Sequence, residues 1–225
     1  MIVFLCAMAV ACQEARIVEK RVVNAVKPQT SATVITLQTS LRPQNKTFLH
    51  SIVIANGQAR SSDEVDRWRL FDLAQNRVTY VDDLSKTYYT TKAEDNGQVA
   101  GAPQVIATGA KKPILGVEAT QYVIRVGGFQ RELWMGSPQE VPQNLFGMID
   151  SNFAKIPGFP LVDHAELPYG RAKMVVDRSV LKIEQRNVSQ DSISIPSDYK
   201  EVTAPGARRP PASSPPGGQS TRATG

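Results

Sequence analysis

Chemistry in this chain would have to come from its histidines, its paired acids or its cysteines, and there are few of each. His50 and His164 are the only two histidines. His50 falls in Thr47 to Ile54, where Phe48, His50, Ile52 and Ile54 alternate onto one strand face. A histidine there is more often a core residue satisfied by one hydrogen bond than a ligand or a base. His164 follows Asp163 and precedes Glu166 in what reads as a loop, so His50, His164 and Glu166 would act together only if the fold gathered them; their spacing matches no zinc site. Asp82 and Asp83 are neighbours in an extended segment, where adjacent side chains point to opposite faces, which excludes a general acid/base pair. No calcium-loop spacing surrounds them, and Asp82-Asp83-Leu84-Ser85 reads as a turn. The sequence has no Gly-rich phosphate loop, no Gly-x-Ser-x-Gly elbow and no His-Glu-x-x-His. These residues assign no catalytic side chain, no metal and no cofactor, and the expectation is a protein that is not an enzyme.

The cysteines point elsewhere. Cys6 and Cys12 are the only two, and both lie at the start of the chain. Residues 2 to 11 form an unbroken apolar run, too short to cross a bilayer of about 30 Å as a helix but of the length of a signal-peptide core. Ala9 and Ala11 stand at the spacing a signal peptidase reads, so residues 1–11 are expected to be a secretory or lipoprotein signal. Ala9-Val10-Ala11-Cys12 resembles a bacterial lipobox, which makes Cys12 the candidate lipid anchor, and export to the periplasm or to a membrane-anchored position in a bacterial envelope follows from that reading. No Lys or Arg precedes the run, as happens when a start is assigned downstream of the true one. The remainder holds no cysteine for a disulfide or a Cys-based metal site.

The elements that would position these residues are strands. Residues 12–31 are polar and mixed, a tether or a first strand, and the two-residue period begins with Ile35, Leu37 and Leu41. Arg42-Pro43-Gln44-Asn45 turns this strand into the His50 strand, a hairpin. Trp68 to Leu73, Arg77 to Val81 and Lys86 to Thr90 follow through short links that leave no room for crossover helices, so an antiparallel meander is expected. Residues 93 to 103 read as a loop, and Gly127-Gly128 as the tight turn between strands Gly116 to Val126 and Phe129 to Met135. Val141, Leu145, Met148, Ile149 and Phe153 recur at three- and four-residue intervals, predicting one amphipathic helix over Val141 to Lys155, stopped by Pro157-Gly158-Phe159-Pro160. A last strand runs from Arg171 to Val188 with a slip in apolar phase, as a bulge near Arg178 would give. Residues 204–225 are Pro, Gly, Ser, Ala and Arg with little to bury, the composition of a disordered tail.

The formal charge is +5, but Arg208, Arg209 and Arg222 in that tail supply three of those charges and leave +2 for the rest. A domain so near neutrality lacks the basic footprint of a nucleic-acid binder.

Four pieces carry a family resemblance: Arg69-Leu70-Phe71-Asp72 through Val78-Thr79-Tyr80-Val81-Asp82 to Lys86-Thr87-Tyr88-Tyr89; Gly116-Val117-Glu118-Ala119-Thr120-Gln121-Tyr122; Glu132-Leu133-Trp134-Met135; and Ile195-Pro196-Ser197-Asp198-Tyr199-Lys200. In this order they resemble the bacterial envelope family known as domain of unknown function 4412, over residues 32 to 202. Ile193 stands where that pattern has Phe. The family is similar to the lipoprotein carriers LolA and LolB, in which an open half-barrel and a helical lid enclose a cavity for lipid chains. The resemblance implies an envelope protein that binds something apolar, and no catalytic residue.

The combined expectation is a mainly β (α+β) domain over residues 32–203: a curved antiparallel sheet, or open half-barrel, with one amphipathic helix packed on its concave face. Ile35, Leu37, Phe48, Ile52, Trp68, Leu145, Ile149 and Phe153 are the candidate cavity residues, and a lipid acyl chain or other hydrophobic ligand is the expected partner, with no nucleic acid. The membrane is a partner through Cys12. The alternative is a protein–protein interaction module of the envelope with a filled core, and a cavity below about 300 Å³ favours it. A hydrolase using His50 or His164 is the third class.

Overall fold

A computed structural model of the chain describes residues 27–62, 66–93, 103–126, 129–153, 155–169 and 172–205. The leader, Cys12, most of the tether, the Gly127-Gly128 turn and all but the first two residues of the tail lie outside them.

The chain is mainly β, one open antiparallel sheet with very little helix. Its strands are β1 (Gln29–Arg42), β2 (Lys46–Ala55), β3 (Gln58–Ser62), β4 (Arg67–Asp72), β5 (Arg77–Asp82), β6 (Thr87–Lys92), β7 (Gln104–Ile114), β8 (Val117–Val126), β9 (Phe129–Gly136), β10 (Phe159–Tyr169), β11 (Ala172–Ser189) and β12 (Lys200–Glu201). They are ordered β12-β6-β5-β4-β3-β2-β1-β11-β10-β9-β8-β7, and the two-residue β12 alone pairs in parallel. Two meanders, β1 to β6 and β7 to β11, are thus joined along the long β1–β11 pair, which runs from Gln29↔Ser189 to Arg42↔Val175.

Local sequence explains the turns. Asn56-Gly57 and Leu115-Gly116 have φ of 52°, 75°, 51° and 76°, the left-handed pairs that match the twist of a tight hairpin. The β1–β2 hairpin and the β4–β5–β6 meander lie where the alternation places them. The phase slip in β11 is real, but its extra residue is Leu181: Thr36 pairs with Lys182 and Leu37 with Val180, three residues beyond the position expected from apolar phase. Three strands escape a periodicity reading. β3 is short and polar, β7 is exposed along nearly its whole length, and β10 begins at the Phe159-Pro160 pair that reads as a breaker. His164 and Glu166 therefore stand on a strand, not in a loop.

The predicted helix is also shorter than its stripe. It resolves into α1 (Leu145–Ile149), ended by Asp150 at φ −143°, and a 3-10 turn over Ser151–Phe153. Its start has no side-chain cap, and Gly147 lowers helix propensity within it. The apolar stripe nonetheless does its packing. Leu145, Phe146, Met148 and Phe153 are buried against Ile35, Leu37, Ile52, Phe71, Val78, Ile124 and Leu133 of the concave face, in one continuous core.

The convex face of the first meander has its own cover. After β11 the chain returns across it: Ile193 packs with Ala32 and Ala55, and Ile195 and Tyr199 pack on Trp68, Leu70 and Val81, before β12 pairs with β6.

Candidate functional site

Strand parity sorts the candidates by face. On β1 and β2, Ile35, Leu37, His50 and Ile52 point to the concave side, and β3, β4, β5 and β6 continue it with Ser61, Arg69, Tyr80 and Tyr89. On the other meander the concave row contains charge. Leu133, Asp163, Arg178 and Thr39 stand across β9, β10, β11 and β1, with Arg131 one step along β9.

Arg131 is buried and fully engaged. Its Nε and Nη2 donate to the two carboxylate oxygens of Asp163 at 2.8 and 2.7 Å, and its Nη1 donates to Asp150 at 2.8 Å. Its guanidinium lies 4.7 Å from the Phe153 ring centroid. Burial alone would lower its pKa, but the two carboxylates outweigh burial and hold it above the usual arginine value. Arg178 Nη1 adds a third bond to Asp163 at 3.2 Å. Because Asp150 is the residue that ends α1, this network ties the helix to the sheet.

Beneath α1 the described residues leave a small cleft. A cleft of about 70 Å³ is lined by Leu37, His50, Ile52, Arg69, Ile149 and Arg178, among others. Leu37, Ile52 and Ile149 border this cleft, while Ile35, Leu145 and Phe153 belong to the packed core itself. Two candidates fall elsewhere. Phe48 shares the concave face but is 46 % exposed, because β3 covers only Ile52 to Ala55 of β2 and stops short of it. Trp68 is buried on the convex face, one residue out of phase with Arg69, where its Nε1 donates to Asp83 Oδ1 at 2.7 Å and Arg60 stacks on its ring at 3.9 Å.

Larger space opens at the meander end. A pocket of about 480 Å³ is bounded by Arg67, Arg69, Tyr80, Tyr89, Thr87 and Val202, with Trp68, Val81, Asp82, Thr203 and Pro205 completing it. Arg69, Tyr80 and Tyr89 are in register on β4, β5 and β6, and the two tyrosine rings stack at 4.9 Å and 14°. Arg69 Nη1 also donates to the Ile149 carbonyl at 3.1 Å, so the pocket adjoins the end of α1. Arg67 lies 3.7 Å from Asp82.

No protein-family model matches the chain, and no curated protein does. Its fold resembles that of PNGF-II. A solved PNGF-II structure in space group C2 aligns with a TM-score of 0.51 at 14% identity, over 77% of this chain and 31% of that one. A second, in space group P21, gives a TM-score of 0.46 at 14% identity over 78% and 32%. The chain thus spans about a third of the PNGF-II chains it matches, and at this identity the likeness is one of fold.

The histidines do not converge. His50 faces the concave cleft, whereas His164 is on the convex side of β10. There its Nδ1 is 2.6 Å from Asp177 Oδ1, and its Nε2 is 4.0 Å from Glu166. Asp177 also accepts from Arg42 Nη2 at 2.8 Å. Burial would raise the Asp177 pKa, but the bonds from His164 and Arg42 prevail and hold it below the usual carboxylate value. Among the described residues, no group of three or more His, Cys, Asp and Glu side chains is arranged to hold a metal ion. Asp82 and Asp83 divide as their parity requires. Asp82 accepts from the Ser85 N–H at 2.9 Å, while Asp83 anchors Trp68 and the Tyr199 hydroxyl.

Arg131, Asp163, Arg178 and Arg69 are the residues the sequence reading passed over. One signal was available: Arg131 is in phase with Leu133 and Met135, and a charge on the apolar face of a strand needs a buried partner.

Proposed function

We propose that this chain is a non-enzymatic module of a bacterial cell envelope that binds a hydrophobic ligand, and that its site is the open meander end of the concave face. The observation that carries this reading is the pocket of about 480 Å³ beside Tyr80, Tyr89 and Val202. That volume lies within the range of small-ligand sites, roughly 300 to 1,000 Å³. Among the described residues, the cleft under α1 measures about 70 Å³, well below that range. Mass spectrometry of organic extracts of the purified full chain tests the proposal. A stoichiometric lipid or fatty acid that disappears in Tyr89→Glu is expected, and extracts empty of any apolar molecule, together with no uptake of added octanoate or octanol, count against it.

A second reading, an envelope interaction module, is favoured by that same small cleft and by β2. Over Lys46 to Ser51 this strand has a paired strand only on its β1 side among the described residues, and Phe48 and Leu49 are exposed there. A photo-crosslinking residue placed at Leu49 gives a discrete adduct in envelope extracts if this reading holds, and none if it does not.

A further inference from the structure

β11 runs on past β10, and we infer that the stretch left uncovered, residues 181–189, docks a second copy of this chain, antiparallel about a two-fold axis at Gln185. On one side β11 keeps β1 from Ser189 to Val175, but on the other β10 reaches only as far as Val162↔Ser179. Residues 181–189 therefore have no strand on the β10 side among the described residues. The uncovered stretch is bounded at both ends. β10 occupies one, and at the other the Gln190 N–H donates to the Pro28 carbonyl at 2.9 Å as the chain turns to cross the convex face. A groove of about 580 Å³ lies between Leu181, Lys182 and Ile183 and the segment 137–140, which gives an incoming strand access to the edge.

A strand edge presents N–H and C=O groups that template another strand unless lysines, prolines or bulges blunt it. β7 is blunted in all three ways, with a register shift, Lys111 and Lys112, and Pro113. β11 differs. From Ile183 to Ser189 it has no proline and no lysine, its charges are Glu184 and Arg186, and its bulge lies outside, at Leu181. Those two charges select a copy of the same strand. A two-fold axis at Gln185 sets Glu184 opposite the partner's Arg186, and Arg186 opposite the partner's Glu184, so one sequence makes two ion pairs. Both residues share the convex face with Val188, which packs there beside Ala32 and Ile193. Lys182 falls opposite the partner's Val188 and keeps its ion pair with its own Glu184. The register is specific. Centred on Glu184 or on Arg186, the same pairing brings like charges together on the axis, which destabilises it.

Sedimentation velocity of the full chain over a concentration series tests the inference, and a monomer–dimer equilibrium is expected. Glu184→Arg and Arg186→Glu each place like charges across both pairs, and each alone should weaken the dimer about tenfold or more. Mixed in equal amounts, the two variants should dimerise again, because every cross-strand pair between them is opposite in sign. That recovery also shows that both variants are folded. A parent chain that stays monomeric throughout the series overturns the inference and leaves this edge to a strand of another protein. A parent dimer that neither change weakens overturns residues 181–189 as its seat. Variants that weaken singly and are not restored by mixing overturn the register centred on Gln185.

Discussion

At the scale of single residues, the Arg131–Asp163 pair decides whether the concave face holds its helix. The Asp163 side chain is 5% exposed and that of Arg131 10%, so neither charge can fall back on water if its partner is lost. Asp163→Asn should therefore cost about 3 to 5 kcal/mol in denaturant unfolding, the price of an uncompensated buried charge. Replacing both residues, as Arg131→Met with Asp163→Leu, should cost less than the single change, and a double variant as unstable as the single one would show that the network contributes more than mutual neutralisation. Asp177 makes a pH-dependent contribution. Its folded pKa is lowered by His164 and Arg42, so the stability it adds is present above the unfolded carboxylate value of about 3.9 and is lost as pH falls through the folded one. Asp177→Asn should flatten the acid limb of a melting-temperature profile below about pH 4. An unchanged limb would remove Asp177 from the account.

At the scale of elements, the link between the short helix and β10 depends on one backbone position. Gly158 has φ of +95°, and a Cβ there would lie 2.5 Å from the Gly136 carbonyl oxygen. Gly158→Ala is expected to destabilise by well over 1 kcal/mol, because both the conformation and the space forbid a side chain; a thermal melt within a degree of the parent would refute this. Elements whose apolar residues alternate cleanly were legible in the sequence, as β1, β2, β4 and β5 show. Those governed by something other than periodicity were not. β7 is an edge strand that packs only Ile114, at its end, against the core, and it carries a register shift between Ala107 and Lys111 and then Lys112 and Pro113, features that blunt an exposed edge. The helical stripe over Val141 to Lys155 recorded a burial pattern correctly, yet burial of Leu145, Phe146, Met148 and Phe153 needs only a broken turn and a half. Of the pocket at the meander end, neither Tyr80 and Tyr89 nor the arginines were among the candidate cavity residues, since cross-strand register brings Arg69 beside Tyr80 and sequence spacing does not reveal register.

At the scale of the whole molecule, the long β1–β11 pair joins the two meanders, and the segment after β11 closes what the sheet leaves open. It covers Trp68, Leu70 and Val81, holds Lys86 through Asp198 at 2.7 Å, and lays β12 along the outer edge of β6. The bond from the Tyr199 hydroxyl to Asp83 at 2.9 Å fixes the segment above Trp68, and with burial it raises the tyrosine pKa above its usual value. Removing only that bond, in Tyr199→Phe, should cost about 1 kcal/mol and leave the association state as it was. Ending the chain at Ser189 does something different in kind. It bares an apolar cluster on the convex face and frees the edge of a strand carrying Tyr88 and Tyr89, and an uncovered edge beside an apolar surface recruits other strands. The truncated chain should sediment as larger species than the full chain at equal concentration, with Trp68 emission shifted to the red. If it matches the full chain in both size and emission, the terminal segment is an appendage, and the convex face must be held by the sheet alone.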